Sequence, residues 1–286
     1  MFESSLDITS ICSPSRLGHY KKTNSCFLPN ELKNIAELHN KKSPIQINTN
    51  VGDKDMIRQL TNGKCESESC LLTITSLEMH LKHIFKPKKP HSWYINDREW
   101  LSSIDIDNVL VQYIDEYFDF LGVFPINFAD RIGSGCVSDK ICNTDRMMDT
   151  LIKMGKRSFG VVFNLDRYDQ RGSHWVSMYC NIDPASKLYG IHYYDSMAVA
   201  PRFQFTSFMN NVQQYVNNLR HTREFQKKIN VIKKQFKKTE CGMYSMLFLI
   251  SCHEKQKHVD FDSICKSMKD DDDVANIRNI LYATFN

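Results

Sequence analysis

The sequence predicts a fold of mixed helices and strands, and three observations carry that prediction. Runs rich in Val, Ile, Tyr and Phe crowd between Phe159 and Asp195, and such residues favour a pleated, half-buried surface. Stripes of apolar residues at three- and four-residue spacing lie on both sides of these runs, which is helical periodicity. A short apolar run from Met243 to about Cys252 follows the pair Cys241-Gly242. It is too short to span a bilayer and suits a buried helix. A chain of 286 residues with 42% hydrophobic content has room for one large domain, or for a domain with an appendage.

Residues 1–90 are polar and rich in Lys, Asn and Ser. One helix is expected after Pro29-Asn30, with Leu32, Ile35, Ala36 and Leu38 on one side. Another follows Gly52-Asp53 and holds Met56, Ile57 and Leu60, and a third covers Leu77 to Phe85. Pro87-Lys88-Lys89-Pro90 reads as a linker. We therefore expect a helical N-terminal arm over 1–90 and a second domain over 91–286.

Beyond the linker, Ser102 can cap a helix with Asp105 at its third position. Ile106, Val109, Leu110, Tyr113, Ile114, Tyr117, Phe118 and Leu121 then form a core-facing stripe. Asp130 to Asn143 contains Gly133-Ser134-Gly135 without the lysine of a phosphate loop, and reads as a surface loop. Met147 to Met154 reads as a helix. Strands are expected at Phe159–Leu165, His174–Ile182, Leu188–Asp195 and Ile229–Phe236. A helix is expected from Phe203 to His221, with Phe208, Val212, Tyr215, Val216 and Leu219 in register. A last helix is expected near Val274 to Tyr282, after the acidic run Asp270 to Asp273, which suits a helix N-terminus.

Several function classes are weakened at this level. The start Met1-Phe2-Glu3-Ser4-Ser5-Leu6-Asp7 is polar and acidic, so no secretory leader is expected. The ten cysteines are therefore expected as free thiols in a reducing compartment. No apolar run approaches twenty residues, so no membrane insertion is expected. Cys65-x4-Cys70 with His80-x2-His83 departs from zinc-finger spacing, and no metal is expected. The net charge of +4 requires no nucleic-acid partner, and the basic run Arg220 to Lys238 reads as a solvated face.

The chemistry centres on Cys241. At a helix N-terminus, unpaired N–H groups and the macrodipole favour thiolate over thiol. Gly242 would let a substrate backbone come close. Upstream lie His174 in Gly172-Ser173-His174-Trp175, Asp195 in Tyr193-Tyr194-Asp195-Ser196, and Gln235 in Gln235-Phe236-Lys237-Lys238-Thr239-Glu240-Cys241-Gly242.

This set, in the order His, Asp, Gln, Cys, resembles the clan of cysteine proteases that holds the SUMO-deconjugating enzymes and the adenovirus protease. Trp100-Leu101 is similar to the clan's entry motif. The segments Cys65–Thr73 and Gln235–Gly242 resemble the African swine fever virus type of polyprotein-processing cysteine protease. That type has Asn at the third catalytic position, where this chain has Asp195. The resemblance implies a papain-like α+β core, a mixed central sheet flanked by helices. It implies that His174 serves as base and Asp195 orients it. Gln235 and the Cys241 N–H would form the oxyanion hole, and Trp175 would cover the His–Cys pair. It further implies cleavage at Gly-Gly-X sites of viral structural polyproteins during virion maturation, in host cytoplasm and virion, with no cofactor. The alternatives are a protease that deconjugates SUMO or another ubiquitin-like protein, and a catalytically idle module that binds glycine tails. A zinc- or nucleic-acid-binding structural protein is a third.

Overall fold

A computed structural model describes residues 11–283; the polar start Met1–Asp7 lies outside them. In chain order the elements are α1 (Leu17–Thr23), α2 (Glu31–Lys42), α3 (Asp53–Leu60), α4 (Glu78–Leu81), α5 (Ser103–Leu110) and β1 (Phe118–Pro125). There follow β2 (Arg131–Ile132), β3 (Gly135–Cys136), α6 (Thr144–Lys153), β4 (Ser158–Asn164), β5 (Trp175–Asn181) and β6 (Gly190–Tyr194). The chain continues with α7 (Phe203–Asn218), β7 (Gln226–Ile229), α8 (Cys241–Lys255), α9 (Phe261–Ser267), α10 (Asp271–Asn276) and α11 (Arg278–Leu281). Two compact units result. One runs up to Pro90 and takes in the chain from Asn279 on; the other runs from His91 to Arg278.

The first unit is helical. Leu32, Ile35 and Ala36 of α2 and Met56, Ile57 and Leu60 of α3 are buried, as their spacing requires. The helix expected over Leu77–Phe85 is shorter. Only α4 and a preceding 3₁₀ turn form, because Phe85 leaves the helix to pair with Cys12 as an isolated bridge. The last described residues join this unit through Ala283, whose N–H donates to the Pro87 carbonyl at 2.9 Å.

In the second unit the sheet order is β1-β4-β5-β6-β7. Its outer pairs, β1/β4 and β6/β7, are parallel; its inner pairs, β4/β5 and β5/β6, are antiparallel. Alternation assigns each face of the sheet. Val161, Phe163, Val176, Met178, Ile191 and Tyr193 share a core with Phe205, Phe208 and Val212 of α7 and Met148 of α6. The opposite face carries α8. There Tyr194 stacks on Phe248 at 4.7 Å, and Gly160 lies so close to Leu249 that a Cβ would stand 3.1 Å from its Cδ1. Residues Cys241 to Cys252 of α8 are all buried, which accounts for a helix apolar on every side.

Four expectations are corrected. The stripe read as helix to Leu121 ends at Leu110, and Phe118 starts β1. Asp115 Oδ1 accepts the N–H groups of Tyr117 and Phe118 at 2.8 and 2.7 Å, which turns the chain. Parallel pairing with β4 then buries Phe118, Phe120 and Leu121 and overrides their helical spacing. The strand expected at Ile229–Phe236 instead covers Gln226–Ile229. It approaches Gly190 so closely that a Cβ there would lie 2.4 Å from the Gln226 carbonyl oxygen, and the φ of +149° is one that glycine tolerates. It ends where the Asn230 side chain turns inward to donate to the Asp195 carbonyl at 2.6 Å. The loop Asp130–Asn143 contains the small hairpin β2–β3. The C-terminal helix is divided into α10 and α11, with α9 before them.

The cysteines also depart from expectation. Three disulfides form, Cys12–Cys26, Cys65–Cys70 and Cys136–Cys142, while Cys180, Cys241, Cys252 and Cys265 are free and buried. Cysteine count and the polar start of the chain carry no information about proximity. Here each pair is brought to a Cα separation between 5.2 and 6.4 Å, within disulfide reach. Cys65 and Cys70, bonded to each other, offer no thiolates to a metal.

Candidate active site

The antiparallel register of β5 and β6 brings His174 to Asp195. Ser177 pairs with Tyr194, so the residues before β5 lie beside those that follow β6. His174 Nε2 stands 2.8 Å from Asp195 Oδ1. That leaves Nδ1 as the nitrogen for the nucleophile, and fixes the tautomer if Nε2 carries the proton. Asp195 is 1% exposed, and its Oδ1 also accepts the Met197 N–H at 2.8 Å. Its Oδ2 has no hydrogen-bond partner among the described residues.

Cys241 is the first residue of α8, and α8 packs on β5, the strand His174 precedes. The first intrahelical bond runs from the Tyr244 N–H to the Glu240 carbonyl at 2.9 Å. The N–H groups of Cys241, Gly242 and Met243 precede it, and such groups are the natural donors to an anion. Burial alone would lower the His174 pKa. The hydrogen bond to Asp195 and the interaction with Cys241 outweigh it, and the pKa is raised to about 9.

Gln235 is 2% exposed and is fixed at both ends of its amide. Ser196 Oγ donates to its Oε1 at 2.6 Å, and its Nε2 donates to the Lys237 carbonyl at 2.8 Å. Ser196 thereby determines which way round the amide sits, and one N–H of Nε2 remains for a substrate. Its own carbonyl holds the N–H groups of Lys234 and Gln235 at 2.8 and 3.0 Å. Sequence reasoning gave Ser196 no role; its place directly after Asp195 was the available signal.

Trp175 donates its indole N–H to the Leu101 carbonyl at 3.0 Å. A Cβ on Gly242 would stand 3.1 Å from Trp175 Cδ1 and 3.0 Å from Leu101 Cδ1. The missing side chain at Gly242 therefore accommodates Trp175 and Leu101, a packing reason separate from room for substrate. His192 and Cys180, near the site in sequence, are buried. His192 Nε2 lies 3.0 Å from the Leu188 carbonyl, and burial lowers its pKa to about 4. Among the described residues, the one cluster of metal-ligating atoms is Cys136, Asp139 and Cys142, and its two sulfurs are bonded to each other.

The raised His174 pKa sets an alkaline limit. The imidazolium must give its proton to the leaving amine, so kcat/KM is expected to fall as pH rises through about 9. In Asp195→Asn, the amide oxygen can keep both bonds now made to Oδ1, and the amide nitrogen takes the place of the unpartnered Oδ2. Activity is therefore expected to exceed that of His174→Ala in single turnover. Loss of the carboxylate removes causes that raise the His174 pKa, so the alkaline limb should move to lower pH. Equal loss in the two variants, or an unmoved limb, would show that Asp195 does not act by orienting His174.

A thiol opening a buried helix, with an imidazole beside it held by a carboxylate across a mixed sheet, defines a cysteine protease. Comparison with known proteins shows what it is similar to. The chain is 28% identical over 299 aligned residues to a thiol protease of Acanthamoeba polyphaga mimivirus, covering 96% of this chain and 93% of the relative. It is 24% identical over 243 residues to a SUMO-1 cysteine protease of African swine fever virus, covering 76% and 83%. Its fold is similar to the crystal structure of an African swine fever virus protease, with a TM-score of 0.63 and 20% identity over the full length of both chains. No family model matches the chain.

Proposed function

We propose that this chain is a viral cysteine endopeptidase that cleaves structural polyproteins at Gly-Gly-X sites as virions mature, acting in host cytoplasm and in the virion. The observation that carries the chemistry is the 2.8 Å contact between His174 Nε2 and Asp195, beside a Cys241 that opens α8. In the proposed step, His174 takes the thiol proton and the sulfur attacks the scissile carbonyl. The Cys241 N–H and the Gln235 amide hold the oxyanion. The imidazolium then protonates the departing amine, and water, activated by the same imidazole, hydrolyses the thioester. The full-length likeness to a mimivirus thiol protease supports the viral reading. The test is mass spectrometry of viral structural precursors incubated with the protein. Fragments cut at Gly-Gly-X sites are expected with the unaltered chain and not with Cys241→Ala; intact precursors in both samples would overturn the substrate assignment.

A second reading is favoured by the likeness to the SUMO-1 cysteine protease of African swine fever virus. It uses the same groups, and differs in that the glycine tail belongs to a ubiquitin-like protein. SUMO conjugates in the same incubation separate the two. Residues 1–90 carry none of the catalytic groups, and we assign them to substrate handling.

A further inference from the structure

An acidic run at a helix start reads as a cap, and Asp270 fits: its Oδ1 accepts the N–H groups of Asp272 and Asp273 at 3.0 and 2.9 Å. Its neighbour does something else. Asp271 is only 6% exposed. Its Oδ2 accepts the N–H of Phe236 at 2.8 Å and of Lys237 at 2.9 Å, and its Oδ1 accepts the Tyr244 hydroxyl at 3.2 Å. Phe236 and Lys237 directly follow Gln235, and Tyr244 lies in the first turn of α8. One buried carboxylate therefore ties the loop between oxyanion donor and nucleophile to the nucleophile's own helix.

The contacts form a chain to the reacting atoms. The Lys237 N–H is held by Asp271, and the Lys237 carbonyl accepts from Gln235 Nε2 at 2.8 Å. We propose that Asp271 is a positioning residue for the oxyanion hole. It fixes the 236–237 backbone, and through that backbone the direction in which the Gln235 amide presents its remaining N–H. Two adjacent N–H groups converge on one oxygen, an arrangement a carboxylate serves better than a neutral acceptor, since charge-assisted bonds are the stronger ones. Asp272 braces the same loop from outside, through Lys237 Nζ at 2.6 Å and through Arg98, whose Nη1 also reaches the buried Glu240 at 3.0 Å. This inference rests on the reading of Gln235 as oxyanion donor.

The test compares peptide turnover with alkylation of Cys241 by iodoacetamide. Alkylation needs the thiolate and its imidazole but forms no oxyanion. In Asp271→Leu, kcat is expected to approach the loss of Gln235→Ala, roughly 10²-fold or more, with KM and the alkylation rate little changed. Asp271→Asn keeps an uncharged acceptor and should lie between that variant and the unaltered protein. The double variant Gln235→Ala with Asp271→Leu should be no slower than Gln235→Ala alone, since both act on one group. Additive losses, an unchanged kcat, or alkylation that falls together with kcat would overturn the proposal. If Asp271→Leu fails to fold, the same measurements on Asp271→Asn, alone and with Gln235→Ala, decide it. A Gln235→Ala variant at full speed would bring down the oxyanion reading and this role together; a slow Gln235→Ala beside a fast Asp271→Leu would bring down this role alone.

Discussion

Cys241→Ala is expected to lose about four to six decades of peptide-bond cleavage, with the fold intact. The size follows from the chemistry: without sulfur no acyl-enzyme forms, and no other thiol stands beside His174. The remaining free cysteines, Cys180, Cys252 and Cys265, are buried, and burial pushes each of their thiols up in pKa. The intact fold follows from packing. Replacing a buried SH by hydrogen leaves a small cavity at one end of α8, whose next eleven residues stay buried. His174→Ala should fall as far, because the base is lost while β5 and β6 keep their register. Single-turnover cleavage and thermal melting check both variants. A folded Cys241→Ala protein turning over near the normal rate would remove Cys241 from the chemistry.

Gln235→Ala is expected to lower kcat by roughly 10²–10³, the usual cost of one oxyanion donor, with KM little changed. The ground-state carbonyl needs this donor less than the tetrahedral oxyanion does, so the loss falls on the chemical step. The substitution also leaves Ser196 Oγ without its 2.6 Å acceptor and the Lys237 carbonyl without its 2.8 Å donor. A modest drop in melting temperature should accompany the kinetic loss. Steady-state kinetics on a Gly-Gly-X peptide give the answer. An unchanged kcat would mean that another amide serves the oxyanion.

The residues that meet at the site were legible because their motifs are local and their order is unusual. His174 with Trp175, Asp195 with Ser196, and Gln235 six residues before Cys241-Gly242 stand out without any knowledge of the fold. The strands between 158 and 194 were legible because β-branched and aromatic residues crowd there. Phe118 and Leu121 were misread as helix because their three-residue spacing continues the stripe of α5, and pairing with β4 is a distant contact that periodicity does not record. The end of β7 depends on a bond from Asn230 to the Asp195 carbonyl, thirty-five residues away. The disulfides and the inward turn of Asp271 are likewise matters of proximity. An acidic run looks alike in sequence whether its members face water or a catalytic loop.

The position of β7 gives the basic run a purpose that needs no ligand. Among the described residues this strand is the outermost of its side of the sheet, bonded to β6 alone, with Gln226, Lys227 and Ile229 exposed. An open strand edge is a template on which another chain can add itself. Lys227 and Lys228 lie in the middle of that edge. Lys228 is tied to Asp262 at 2.8 Å, while Lys227 holds an exposed charge where an added strand would have to lie. Charged residues on an open strand edge disfavour the addition of a further strand, so a run that reads in sequence as a solvated face has at β7 a second physical consequence.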